Sequence, residues 1–404
     1  MKLGFVVPWF GKDARGGAES ECRSTAVQLA RRGATVEILT TCARGHGFEW
    51  TNYYDPGTVE EHGLLVRRFP VRPRDATRFS ELNRRILWGL LLMPEQEEQF
   101  VQESIHSDAL YEFLDRHRRE YWFLFIPYLF GMTVSGAMVA PERSFVIPCL
   151  HDEGYAYLAP VRRMLTAVRG VLFHVEAERE LARKITGSAG EHFLLVGEGV
   201  DSDISGDGPR FRQRYGIREP FLLFVGRKDR LKNTHLLVEY FSTYRVRHPE
   251  SWLKLVLIGE GPIPLPSRLH GQILDLGVLP AQDIYDAYAA ALALCQPSRL
   301  ESFSLVLMEG WLCGTPALVY GGCAVTREHC RASGGGLYFS DYFEFEECVD
   351  LLLADESLRQ RMAGGGRRYV LREFNWDRVC RNYLEVLQHA SRAAGCRFIK
   401  SSRI

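Results

Sequence analysis

Two acids sit in an apolar segment. In "SRLESFSLVLMEG", Ser298 to Gly310, Glu301 and Glu309 have seven positions between them. A carboxylate among apolar neighbours is costly unless a partner satisfies it. The preceding "LALCQPS" reads as a buried strand ending at Ser298. A helix should begin near Ser302 to Ser304, since serine is a good N-cap. Its unpaired N–H groups then suit a phosphate. Glu309 would lie about 8–10 Å along that helix, about the span from a diphosphate to a ribose. Glu301 stays in the loop on the other side of the phosphates. One acid would grip ribose hydroxyls and the other a group beyond the diphosphate. Taken alone, the pair also fits a helix-dipole contact and a solvated side chain.

Cations stand at the matching position of an earlier segment. In "LLFVGRKDRLKNTHLL", Arg227 follows a strand and Lys232 opens a helix. Arg binds diphosphate by bidentate hydrogen bonds and Lys as a point charge. Lys228 and Arg230 read as solvated loop cations. In "GKDARGGAES", Gly16 and Gly17 let backbone approach a ligand closely, but the G-x-G-x-x-G dinucleotide fingerprint is absent. "CLHDEG" puts His151, Asp152 and Glu153 at a strand end, where His151 fits either a structural or a functional role. The D-x-D of Asp201 to Asp203 falls in a hydrophilic stretch away from any strand end and reads as loop.

Strands and helices must alternate to place these clusters. "LGFVVPW", "ATVEILTT", "HGLLVRRFPV", "SFVIPCLHDEG", "GVLFHVEAERELARKI" and "HFLLVGEGVD" give one series. "PFLLFVGR", "LKLVLIGEGP", "ILDLGVL", "LALCQPS" and "TPALVY" give another. That grammar implies α/β architecture with two doubly wound parallel sheets. The hydrophilic linker "GVDSDISGDGPRFRQRYGIRE" separates them. Open sheets bind ligands at strand carboxyl ends where the strand order reverses, which is where the clusters lie.

Bulk properties exclude some classes. The chain has 404 residues, and 50 basic residues balance 50 acidic ones, so no global field favours nucleic acid. Ten cysteines without metal-ligand spacing fit a reducing cytosol and give no support to a zinc site. The N-terminus reads as a first strand rather than a signal peptide. "YWFLFIPYLFGMTVSGAMVA" (Tyr121 to Ala140) is long enough to span a bilayer, but Pro127 divides it into a strand, Trp122 to Ile126, and a buried helix. "SELNRRILWGLLLMP" (Ser80 to Pro94) combines Arg84 and Arg85 with Trp88 and aliphatic residues. It fits a helix lying on a membrane surface or one packed in the domain.

Together, "GGAE", "HDE", Gly226-Arg227 to Lys232, "GEGP", "LPAQDIYDAYAAALALCQPS", "ESFSLVLMEGWLCGTPALVY" and "FNW" resemble the retaining GT-B glycosyltransferases of family 4. The resemblance covers nearly the whole chain and is more specific in the second half. It implies two Rossmann-like domains facing a cleft, with residues 1–198 binding the acceptor and 199–375 the nucleotide-sugar. Residues 376–404 would form a helix crossing back to the first domain, and a tail.

The resemblance also implies residue roles. Arg227, Lys232 and the amides of Phe303 and Ser304, with Ser302 in the turn, would cradle the diphosphate. Glu309 would hold the ribose and Glu301 the transferring sugar. Main chain at Leu276, Gly277 and Val278 would meet the base. Gly16 and Gly17 would reach the phosphate from the other domain, and His151 would face the sugar. The expected activity moves a hexose, of mannose or glucose type, from a nucleotide-sugar to a surface-glycan or lipid-linked saccharide. No metal or further cofactor is expected, and the location would be cytoplasmic, with peripheral membrane contact open.

Departures are Glu198 for the usual Asn of "NGVD", Ser302 for Gly of "EGF", Gly310-Trp311 for Ala-Met, and the absence of a common Ser in "VLFHVEAER". Rival readings are a catalytically silent nucleotide-sugar binder and a nucleotide-sugar epimerase. A phosphorylase lacks a marked pyridoxal lysine. A dinucleotide-dependent oxidoreductase lacks its fingerprint.

Overall fold

Short runs of Val, Leu, Ile and Phe dictate the strands. The computed structural model describes residues 1–11, 16–45 and 49–393. The chain divides into two compact units, one of Met1–Gly199 with the segment that begins at Trp376, the other of Val200–Asn375.

The first unit holds β1 (Lys2–Val7), β2 (Thr35–Thr41), β3 (Gly57–Glu61), β4 (Leu64–Phe69), β5 (Tyr121–Phe125), β6 (Ser144–Val146), β7 (Gly170–Phe173) and β8 (Phe193–Leu195). They form one sheet in the order β3-β4-β2-β1-β5-β6-β7-β8. All pairs are parallel except β3 with β4. Both faces are buried. Tyr121, Phe123 and Phe125 enter one core, and Trp122, Leu124 and Ile126 the other. Such strands are apolar without alternation, as their sequences are. The helix Trp376–Ala393 packs Val379, Cys380, Tyr383, Leu387 and Ala390 into the second core. Trp122 Nε1 donates to Ser391 Oγ at 2.9 Å, and the last helix belongs to the first unit.

The long apolar run from Tyr121 resolves into β5 and a short buried helix, Gly131–Ala137. Among the described residues no helix is long and apolar enough to cross a membrane.

The second unit holds β9 (Phe221–Val225), β10 (Lys254–Ile258), β11 (Ile273–Asp275), β12 (Ala293–Gln296), β13 (Ala317–Tyr320) and β14 (Gly336–Phe339). The order is β11-β10-β9-β12-β13-β14, all parallel. Strand order reverses between β1 and β5 in one sheet and between β9 and β12 in the other. A crevice is expected at each point.

Part of the expected linker is not a linker. Residues Gly208–Tyr215 form a helix, with Asp207 accepting from the Arg210 N–H and Gly216 ending it in a left-handed turn. Phe211 is buried, and Arg210 and Arg214 pair with Asp286 and Asp283. One apolar anchor and two ion pairs hold a segment whose composition reads as loop. β3 has no apolar run to mark it, because "GTVEE" is a largely exposed, charged edge strand. Between Tyr320 and Phe374, β14 and the helices Ala324–Ser333, Tyr342–Ala354 and Glu356–Glu373 carry no motif.

Candidate functional site

The second unit builds its site where β9 and β12 diverge. Gly226 and Gly259 end adjacent strands, and a Cβ on Gly259, whose φ is 133°, would sit 1.9 Å from the Gly226 carbonyl oxygen. The two strand-end turns can only approach this closely without that side chain. Arg227 emerges next, with its side chain 60% exposed and Nε 3.6 Å from Asp229 Oδ2. Asp229 Oδ1 accepts the Lys232 N–H at 2.8 Å, folding the loop back toward the helix Thr234–Arg247. Asn233 precedes that helix at φ 55°, and its Nδ2 donates to the Pro297 carbonyl at 3.1 Å. Asn233 thus ties the cation loop to the end of β12.

Lys228 is not a solvated cation. It is buried, with Nζ 2.5 Å from Asp275 Oδ1, and its N–H donates to the Glu260 carbonyl at 2.7 Å. Asp275 Oδ1 also accepts the Gly277 N–H at 3.0 Å. The pair therefore binds the Arg227 loop to Leu276-Gly277-Val278. That strip is fastened to β10 by Leu276 N–H to the Leu257 carbonyl and Gly259 N–H to the Gly277 carbonyl. Val278 is left exposed. A local pattern of basic residues could not distinguish Lys228 from its neighbours, because its partner lies 47 positions away.

The helix after β12 is Leu305–Leu312, so Glu301 lies in the loop and Glu309 on the helix. Each acid has a partner inside the chain. Glu301 Oε1 lies 2.7 Å from Lys232 Nζ and accepts from Gln296 Nε2 at 3.0 Å. Glu309 Oε2 accepts the Tyr288 hydroxyl at 3.0 Å. Burial raises the Glu309 pKa to about 7, with the Tyr288 bond opposing and Asp201 adding to the rise. The serine expectation needs correction. Ser304 stands at the cap position with φ 79°, and its hydroxyl makes no capping bond. Phe303 fixes this turn instead. It is buried with its ring edge-on to Phe374 at 4.8 Å and to His329 at 5.4 Å. Ser302 is half-buried beside it.

Four buried polar atoms in these segments have no hydrogen-bond partner: Ser304 Oγ, Ser298 Oγ, Gln296 Oε1 and Thr234 Oγ1. Buried polar groups are ordinarily paired, so a concentration of them at one strand-end crevice suits a polar ligand or ordered water. With Lys232, Arg227 and the helix start, the crevice suits an anion.

The Gly310-Trp311 departure has a packing cause. Trp311 is fully buried and donates from Nε1 to the Gly335 carbonyl at 2.8 Å. Its indole occupies space that a Cβ on Gly366, 2.3 Å away, would claim.

The sequence profile of the glycosyl transferases group 1 matches residues 208–369. A D-inositol 3-phosphate glycosyltransferase of Frankia alni is 32% identical over 409 residues, covering 90% of this chain and 92% of that protein. The chain belongs to the group 1 glycosyl transferases. A second D-inositol 3-phosphate glycosyltransferase, from Saccharomonospora viridis, is 25% identical over 425 residues, covering 95% of this chain and 91% of its own. Among solved structures, sucrose-phosphate synthase from Thermosynechococcus elongatus has a TM-score of 0.70 at 17% identity, covering 97% of this chain and 100% of that one. HepE of Anabaena, in complex with UDP and glucose, has a TM-score of 0.68 at 15% identity, with 96% and 100% covered. These likenesses establish the GT-B fold of this glycosyl transferase.

The first unit of this group 1 transferase presents His151 after β6, half-buried, with Nδ1 3.5 Å from Glu153 Oε1. Tyr128 donates to the same Glu153 oxygen at 2.8 Å. Gly16 is extended, at φ −155°, and precedes the helix Gly17–Arg31. A Cβ on Gly17 would meet nothing within 4 Å. Neither described glycine is demanded by backbone conformation, and residues 12–15 of the same loop lie outside the described residues. Asp201 to Asp203 is a turn outside regular structure.

Proposed function

We propose that this glycosyl transferase moves a hexose, with retention, from a nucleoside diphosphate sugar to a saccharide hydroxyl. The observation that carries the reading is the crevice between β9 and β12. It combines Arg227, Lys232 and a helix start with four unpaired buried polar atoms, with Glu301 in the loop before that helix and Glu309 on it. Arg227, Lys232 and the backbone at Phe303 and Ser304 neutralise the departing diphosphate by preorganised electrostatics. Glu309 takes ribose hydroxyls, Glu301 sugar hydroxyls, and the Leu276–Val278 strip the base. His151 acts on the sugar, with Gly16 and Gly17 giving backbone donors. Among the described residues no carboxylate pair is placed for a covalent intermediate, so same-face attack is the route to retention, with a donor phosphate oxygen taking the acceptor proton. The solved HepE complex with UDP and glucose supports this donor class.

The reaction needs no metal ion and no further cofactor. The acceptor is a growing surface glycan or its lipid carrier, met on the cytoplasmic face of a membrane. Supporting the membrane part, Leu87, Trp88, Leu90, Leu91 and Met93 are exposed, Leu91 by 90%, directly after the exposed Arg84 and Arg85.

Calorimetry with UDP, GDP, ADP and their sugars tests the reading. One nucleoside diphosphate and its sugar should bind, and the sugar should be transferred. A folded protein that binds none of them overturns it. Binding with neither transfer nor hydrolysis would identify a silent binder.

A further inference from the structure

A buried ionic network in the first unit lies outside the donor site. Glu21 belongs to the helix Gly17–Arg31, His174 follows β7, Glu178 belongs to the helix Glu176–Thr186, and Cys149 follows β6. All four are buried. His174 Nε2 lies 2.5 Å from Glu21 Oε1, and Nδ1 lies 3.3 Å from Glu178 Oε2. Burial would discharge this imidazole, but the two carboxylates outweigh it and hold the pKa well above the ordinary histidine value. The network occupies the segment where the family's common Ser is missing.

The acids spend further contacts on consecutive residues. Glu21 Oε2 accepts from Cys149 Sγ at 3.4 Å, and Glu178 Oε1 accepts the Leu150 N–H at 2.7 Å. The next residue is His151. Cys149 has φ 51°, a left-handed conformation that a non-glycine residue keeps only when its surroundings over-determine it. Two carboxylates bridged by one imidazole provide that restraint.

We propose that Glu178 and Glu21, bridged by His174, are positioning residues that hold the Cys149–Leu150 turn and thereby aim His151. The proposal rests on the role given to His151 above. Glu153 Oε1 also lies 3.5 Å from His151 Nδ1. Glutamine at 178 keeps the shape, but its amide nitrogen would face the N–H of either Leu150 or His174, donor against donor, since those two groups take separate Glu178 oxygens.

A double-mutant cycle of Glu178→Gln with His151→Ala tests this. Glu178→Gln alone should lower kcat roughly 10- to 100-fold by misplacing a reacting group, with donor KM and nucleoside diphosphate affinity unchanged. In the His151→Ala background it should cost nothing more. An equal further loss there would show general damage and overturn the proposal. Full turnover by His151→Ala alone would also overturn it, while unchanged nucleotide binding would leave the glycosyl transferase reading intact. If Glu178→Gln does not fold, Glu21→Gln runs the same cycle through Cys149. A stoichiometric divalent metal in the wild-type protein, lost in His174→Gln, would replace the proton bridge with a metal site and overturn the assignment.

Discussion

Glu309 carries the clearest residue-scale consequence. Its pKa of about 7 stands above the ordinary glutamate value of 4.5 because ionisation there is poorly solvated. The folded state therefore binds more protons than the unfolded one between those values, and stability falls as pH rises through that window, by about 3 kcal/mol in all. Glu309→Gln should raise the melting temperature of the ligand-free protein above about pH 7, and the gain should vanish toward about pH 4. The same variant should weaken nucleoside diphosphate binding about 10- to 100-fold, since ribose hydroxyls donate best to the ionised acid. Wild-type affinity should likewise fall below about pH 7. Equal melting curves and equal affinities would make Glu309 an ordinary structural acid. Glu301 behaves differently from a simple sugar ligand, because it also holds Lys232. Glu301→Ala releases that ammonium and should alter nucleotide affinity as well as turnover. Glu301→Gln keeps an oxygen acceptor for Lys232 and should lower turnover with nucleotide affinity nearly preserved. Kinetics beside nucleotide titration separates the two variants.

At the scale of elements, the site helix is braced from behind. Trp311 fills the space beside Gly366 in the helix Glu356–Glu373. Alanine in a helix ordinarily gains about 1 kcal/mol over glycine. Here Gly366→Ala should destabilise by about 1–3 kcal/mol through overpacking. In a Trp311→Leu background the alanine should become neutral or favourable, a coupling that denaturant melts would read directly. Additive effects in the double variant would mean that the indole and the glycine are independent. Apart from β3 and β14, the strands were legible from their apolar runs. The helix Gly208–Tyr215 was not, because its only buried apolar side chain is Phe211 and its arginines find acids and a carbonyl some 70 positions away.

For the whole molecule, two predictions concern what it needs and where it works. If Arg227 and Lys232 supply the charge that a metal would otherwise bring, as proposed, transfer should survive saturating EDTA. Activity abolished by chelation and restored by Mg²⁺ or Mn²⁺ would refute this. The exposed segment from Leu87 to Met93 should carry the protein onto vesicles containing anionic lipid. Sedimentation of an Arg84→Glu/Arg85→Glu double variant should leave it in the supernatant. Equal partitioning of variant and wild type would remove the membrane from the account.

Local chemistry in the chain determined the alternation of strands and helices, the two sheets, the strand-end clusters and the positions of Glu301 and Glu309 in loop and helix. These are readable because apolar runs, Gly and Pro breaks and cap residues act over a few positions. The partners of the charges were not readable in that way. Lys228 was hidden because Asp275 reaches it only when β9, β10 and β11 lie side by side. Nothing local to Glu301 names a partner within the chain, and only the fold brings Lys232 to it across 69 positions. His174 looked like part of a strand running into a helix, yet it bridges Glu21 and Glu178. Which charge is solvated, paired or poised is decided by burial and by neighbours distant in sequence. That information comes into being only when the sheets close over their cores.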